Sequence, residues 1–223
     1  MVHGHPRTEV PIVNVVSEHR TVATSSGRVT GTVADGVARF LGIPYAAAPV
    51  GPNRFQPPRP VPPWTGERDA TRFGPTAPKA PYPSFARALL PEVDIPGDEC
   101  LNLNVWAPAT GADRPVLVWV HGGSFCCGSK TSSELVDEAT TFSKKGYLNV
   151  SIDYRLESPG CSGSFSNCVA AIKEAAEDAQ TAVRFLRSNA ATYGIDPNRI
   201  AIGGSSAGAI TALNVGYSSS EDP

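Results

Sequence analysis

No run of apolar residues in this chain approaches the length of a membrane span, and no run of Lys or Arg marks a surface for nucleic acid or anionic lipid. Neither sign of charge is in excess: 19 Lys and Arg stand against 21 Asp and Glu, a formal net charge of −2. Long-range attraction to a polyanion is therefore not among its means of binding, and neither nucleic acid nor membrane is expected as a partner. The N-terminal MVHGHPRTEV lacks the basic start, apolar stretch and small-residue cleavage site of a signal peptide, so the default location is the cytoplasm. There is no C-x-x-C and no Cys/His array, so no metal is expected. The G-K-[ST] of a phosphate-binding loop is absent. GGSSAG lacks dinucleotide-binding spacing and has no room for the acidic residue about twenty positions on. No cofactor is implied.

Five cysteines cannot all pair. Cys161 and Cys168 bracket CSGSFSNC, a polar loop that could close a small covalent ring; two loop thiols that never meet is the alternative. Adjacent Cys126 and Cys127 read as gap-filling side chains rather than a redox centre.

What the chain has in quantity is proline and glycine, 21 of each. Between residues 10 and 45 the pieces IVNVV, RTVAT, RVTGTV and VARFLGI alternate with turn residues, which predicts a small antiparallel meander. From Pro49 to Pro96 proline crowding predicts a surface-hugging loop region with one helical turn. LNLNVW and PVLVWVH read as strands, the second buried on both faces because nearly every residue is apolar. A helix is expected over Glu134–Lys145, stopped by Gly146, then strand YLNVSID, then a long helix within Val169–Asn189. Its apolar face reads as Val169, Ile172, Ala176, Ala179, Val183 and Leu186. The turn GIDPNR leads into strand IAIGG and a final helix. Strand and helix in alternation is a parallel α/β pattern within one domain.

The chemistry concentrates where IAIGG meets that helix. Gly204-Ser205-Ser206-Ala207-Gly208 is G-x-S-x-G between a buried strand and a helix. A serine on so sharp a turn is held in a strained backbone conformation, and small residues two before and two after it give the room. Peptide N–H groups at the helix start favour an oxyanion, and that of Ala207 is the first donor. Earlier, VWVHGGSF places His121-Gly122-Gly123-Ser124 at the end of a strand, where backbone N–H groups can approach a substrate oxygen unobstructed.

These segments, in order, resemble the type-B carboxylesterases of the α/β-hydrolase fold. FLGIPYAAAPVGPNRFQPP, GDECLNLNVWAP, PVLVWVHGGSF, IDYRL and DPNRIAIGGSSAGA carry the resemblance, from about Gly31 onward. It implies Ser206 as nucleophile, an oxyanion hole from the N–H groups of Gly123, Ser124 and Ala207 with Gly122 giving the bend, and a small-molecule ester as substrate. It also implies two structural ion pairs, Arg54 with Asp98 and Arg155 with Asp178. The family's disulfide partner for Cys100 is replaced by Ala77, so Cys100 is expected unbridged.

Ser206 needs a base, and the hydrolase order is Ser, acid, His. The four histidines are His3, His5, His19 and His121; all precede Ser206, and only Glu221 and Asp222 offer carboxylates after it. His121 belongs to the oxyanion loop, where its expected work is to hold loop shape. Because the resemblance implies much longer members, the chain is expected to be the N-terminal part, residues 1–223, of a single α/β-hydrolase domain. That domain is truncated after the nucleophile elbow, carries a small N-terminal antiparallel β region, and leaves one strand edge uncovered. Two other readings stand beside it: a non-catalytic hydrolase-fold protein that binds protein partners, and a lipase or amidase of the same fold.

Overall fold

The computed structural model describes residues 18–79, 81–82 and 94–218. The IVNVV piece, His3, His5, Glu221 and Asp222 lie outside the described residues, as does part of the proline-rich region.

One mixed sheet forms the centre. Its strands are β1 (Glu18–Ala23), β2 (Arg28–Ala34), β3 (Val37–Pro44), β4 (Glu67–Asp69), β5 (Asn102–Pro108), β6 (Arg114–Val120), β7 (Leu148–Ile152) and β8 (Ile195–Gly204). They lie in the order β1-β2-β3-β5-β7-β6-β8, with β4 beside β2. The expected meander is present: β1, β2 and β3 pair antiparallel, and the sheet stays antiparallel through β5 to β7. β7, β6 and β8 are mutually parallel, and the short β4 runs parallel to β2. The described part of the proline-rich stretch contains the 3-10 turn Gly51–Asn53 and also β4, which its charged sequence ERD did not announce.

The helices among the described residues are α1 (Ser133–Lys144), α2 (Phe165–Ser188), α3 (Ala190–Tyr193) and α4 (Ala207–Tyr217). α1 covers one face of the sheet, burying Leu135, Ala139 and Ser143. Val116 and Val118 of β6, with Leu148 and Val150 of β7, pack on the other face against Leu186 and Ala190. β6 was expected to be buried on both faces. Val116, Val118 and Val120 are, but Leu117 and Trp119 on the α1 side are only half-buried, because one short helix roofs that face.

The apolar face of α2 also differs from expectation. Its buried residues are Ala171, Ala175, Ala179 and Leu186, while Val169, Ile172, Ala176 and Val183 flank them half-exposed. The helix lies close enough to the sheet and α4 that only a methyl fits at the line of contact, so size outranks hydrophobicity there. Ala175→Leu should therefore cost about 1–3 kcal/mol by overpacking, and Ala176→Leu much less. Urea unfolding of the two variants checks this; equal midpoints would restore the face read from the sequence.

The segment GIDPNR, expected as a turn, starts β8 itself. Arg114 pairs with Ile195 but Val116 with Ile200, so the intervening residues bulge from the ladder. Asp196 ties the bulge down by accepting from the Asn198 N–H at 2.9 Å and from Arg199. β7 is inserted between β5 and β6, so the five residues 109–113 must bridge two strand spacings. That link is held by the Ala109 N–H on the Gly36 carbonyl and by the Asp113 carbonyl, which accepts from Arg199.

Arg155 donates from its Nε to Asp178 at 3.0 Å, and its backbone N–H reaches the same carboxylate at 2.8 Å, fastening the segment after β7 to α2. Arg54 and Asp98 are not brought together. The Arg54 guanidinium lies 4.9 Å over the exposed Phe55 ring, and the ion pair in that region joins Arg68 to Glu99 at 3.4 Å. All these side chains are solvated, where an ion pair gains little over water and does not dictate a partner.

Candidate active site

β6 and β8 run parallel and adjacent, so the two glycine motifs at their C-terminal ends meet. Ser206 sits at the junction of β8 and α4 with φ 51° and ψ −115°, a left-handed conformation that costs a serine on the order of 1–3 kcal/mol. A Cβ at Gly204 or at Gly208 would run into the Val120 carbonyl. That is why this turn takes glycine on both sides: the elbow is pressed against the end of β6. Ser206 is exposed, Ala207 and Gly208 are buried, and the Ala207 N–H lies at the start of α4, where no intrahelical acceptor is available.

Across from it runs 121–124. A Cβ at Gly122 would stand 3.1 Å from the Ser205 carbonyl oxygen and 3.2 Å from the Ser206 Cβ, so the first glycine of the pair lies directly on the elbow. Gly123 has φ 127°, and its carbonyl accepts from the N–H groups of both Cys126 and Cys127 at 3.0 Å. Ser124 and Phe125 are both left-handed, at φ 52° and 63°, and the Ser124 carbonyl accepts from the Cys161 N–H at 3.1 Å. The sulfurs of Cys161 and Cys168 are bonded as a disulfide; Cys100, Cys126 and Cys127 are not in disulfides. Burial raises the pKa of the Cys100 thiol.

His121 is fully buried and stacks on Tyr154 at 4.4 Å between ring centroids. Its Nδ1 is 2.7 Å from the Gly122 carbonyl oxygen, which can only accept, so Nδ1 carries the proton. In a planar trans peptide the C=O and N–H point opposite ways, so fixing the Gly122 carbonyl also fixes the direction of the Gly123 N–H. Burial lowers the His121 pKa, and the charge of Asp153, 3.8 Å from Nε2, opposes that only in part. The ring is a brace for the loop.

The sign of its pH effect follows. Unfolded, His121 titrates near 6.5; folded, it titrates lower. The unfolded chain thus takes up the proton first, so stability is full above about pH 6.5 and is lost as pH falls toward the folded value. The urea midpoint should drop between about pH 7.5 and about pH 5.5. It should drop less in His121→Gln; parallel profiles would place the titration elsewhere.

His19 is exposed on β1, at the opposite end of the sheet from β8, so no imidazole among the described residues reaches Ser206. Among those residues, no group of three or more His, Cys, Asp and Glu is arranged for a metal, and no helix is long and apolar enough to cross a membrane. A concavity of about 410 Å³ is lined by Val29, Gly42, Arg68 and Gly74, on the β2–β3 side away from the elbow.

Two features beside the elbow were not read from the sequence. The Ser205 hydroxyl donates to Glu134 Oε1 at 3.2 Å, tying the first turn of α1 to the elbow. Beneath the 121–124 loop the fully buried Lys130 ammonium bonds Asp153 at 2.6 Å, while the Lys130 N–H reaches the other carboxylate oxygen, also at 2.6 Å. Neither contact leaves a local sequence signal.

β8 ends the sheet, and its outer edge is unpaired among the described residues; Ile210, Leu213 and Tyr217 of α4 are exposed. The chain and its fold have counterparts among known proteins. A phenmedipham hydrolase of Pseudarthrobacter oxydans is 41% identical over 190 residues, covering 83% of this chain and 37% of that protein. The para-nitrobenzyl esterase of Bacillus subtilis (strain 168) is 34% identical over 201 residues, covering 86% and 39%. A solved structure of a PNB esterase, 34% identical, superposes with a TM-score of 0.66 over 87% of this chain and 40% of the other. The chain thus spans about two fifths of the length of these relatives. The carboxylesterase family model itself matches residues 18–220, from β1 past the end of α4, and the chain belongs to that family.

Proposed function

We propose that this chain carries the nucleophile and the oxyanion hole of a serine carboxylic-ester hydrolase. Ser206 attacks the ester carbonyl, the N–H groups of Gly123, Ser124 and Ala207 receive the oxyanion, the alcohol leaves, and water releases the acyl group from Ser206. The general base and its acid come from outside the described residues. The observation that carries the reading is the left-handed Ser206 seated on the elbow against Gly122. A hydroxyl held in a strained, exposed conformation beside unobstructed backbone amides is arranged for attack and not for packing. Small esters such as those named in its relatives, para-nitrobenzyl esters among them, are the substrate class.

Mass spectrometry after incubation with a fluorophosphonate tests this on the chain joined to the C-terminal portion of the para-nitrobenzyl esterase relative, which supplies the base. One adduct per chain is expected, on Ser206, and none on Ser206→Ala. A folded chain that takes up no adduct, or takes it up elsewhere, would favour a hydrolase-fold protein whose work is binding.

A further inference from the structure

The second half of the oxyanion turn contains two cysteines that the proposed chemistry does not use. Successive side chains in extended backbone point to opposite sides, but the turn at Gly123–Gly128 brings both thiols to one side. The sulfurs of Cys126 and Cys127 are 2.7 Å apart. A disulfide needs them at about 2.05 Å, an approach of less than about 1 Å. Cys127 is buried, whereas Cys126 is half-buried and within reach of a small reagent. Both backbone N–H groups hold the Gly123 carbonyl, and a Cβ on Gly123 would collide with the Cys127 carbonyl, so there is no slack between the cysteine pair and the glycine pair. On the far side, a Cβ at Gly160 would stand 3.1 Å from Cys126 Cβ, so the neighbouring loop confines the turn from outside.

We propose that Cys126 and Cys127 are a redox modification site, closing to a vicinal disulfide when a low-molecular-weight disulfide is present. The Cys126 thiolate attacks one sulfur of glutathione disulfide and expels glutathione thiolate. The Cys127 sulfur then attacks the Cys126 sulfur, forming the ring and expelling the second glutathione. The two protons lost by the cysteines end on the two glutathiones; the dithiol is oxidised by two electrons and glutathione disulfide is reduced by two.

Ring closure between adjacent residues twists the peptide joining them, which planar amide geometry resists. The twist turns the Cys127 N–H, which belongs to that peptide, away from the Gly123 carbonyl. Ser124, whose N–H shares a peptide plane with the Gly123 carbonyl, then loses one of the hydrogen bonds that orient its amide. This consequence for Ser206 rests on the proposed function; the ring itself does not.

The experiment is a redox titration of the whole chain in glutathione/glutathione disulfide mixtures, native and in urea. Thiols are trapped by alkylation and the peptide 126–130, cut after Phe125 and Lys130, is weighed. The native turn should close at a glutathione disulfide concentration at least about tenfold lower than the unfolded chain requires, because it already holds the sulfurs together. Equal midpoints would overturn the proposal. So would a glutathione adduct that persists on Cys126, or a bridge from Cys126 to Cys100, Cys161 or Cys168. In parallel, in the chain joined to the C-terminal portion that supplies the base, fluorophosphonate labelling of Ser206 should slow about tenfold on oxidation, recover with reductant, and ignore the oxidant in Cys126→Ser. Absent labelling in every state would count against the hydrolase reading while leaving the titration to decide the ring.

Discussion

The 223-residue chain by itself should hydrolyse p-nitrophenyl acetate no faster than its Ser206→Ala variant. Its four histidines account for this. His121 is buried with its Nδ1 proton committed to Gly122, His19 is on the opposite edge of the sheet, and His3 and His5 belong to the N-terminal stretch. Removing the base from a serine triad costs on the order of a millionfold in turnover, although an oxyanion hole alone retains roughly a thousandfold over water. Supplying the acid and histidine by joining the C-terminal portion of the para-nitrobenzyl esterase relative should restore turnover by several orders of magnitude. Ser206→Ala in that joined protein should abolish the gain. Fast hydrolysis by the unjoined chain, lost in Ser206→Ala, would mean that a base exists within these residues.

Lys130→Ala should be the most damaging single substitution under the oxyanion loop, costing about 3–5 kcal/mol. The ammonium is fully buried, and its loss leaves the Asp153 carboxylate, itself only 21% exposed, without its partner. The same carboxylate also caps the Lys130 N–H, and the Lys130 carbonyl accepts from Ser151, so backbone order would be disturbed along with charge. Lys130→Met with Asp153→Asn should be much milder than Lys130→Ala, because neither buried charge is then stranded. Urea unfolding decides: a loss below about 1 kcal/mol for Lys130→Ala would mean the pair behaves like a solvated one.

The elbow could be read from the letters because its backbone admits almost no others. Gly204 and Gly208 press on the Val120 carbonyl, and Gly122 presses on Ser205, so the geometry is written directly as glycine. Strand and helix order was legible for the same kind of reason, since each apolar run must find cover. What was not legible depends on distance and size. The Ser205–Glu134 bond joins residues 71 apart in sequence. The buried face of α2 is chosen by how closely it approaches the sheet, which ranks Ala171 and Ala175 above Ile172. Arg54 and Asp98 show the converse: two charges paired only through the family resemblance remain apart, because water serves each as well as the other would.

The insertion of β7 between β5 and β6 has a consequence for how the protein comes into being. When β6 has been made, β7 has not, and the link 109–113 is short enough to let β5 and β6 meet as an ordinary hairpin. In the native sheet they lie two spacings apart, about 9.5 Å, with a strand between them. The nascent chain must either keep β5 and β6 separate while α1 is still being synthesised, or form their hairpin and then surrender it when β7 arrives. The Ala109 and Asp113 anchors that splay the link come from opposite ends of the chain's history. Gly36 is already available when Ala109 emerges, but Arg199 is not yet translated when Asp113 needs it. The first anchor can keep the gap open early; the second locks it only when β8, the strand that leads to Ser206, takes its place.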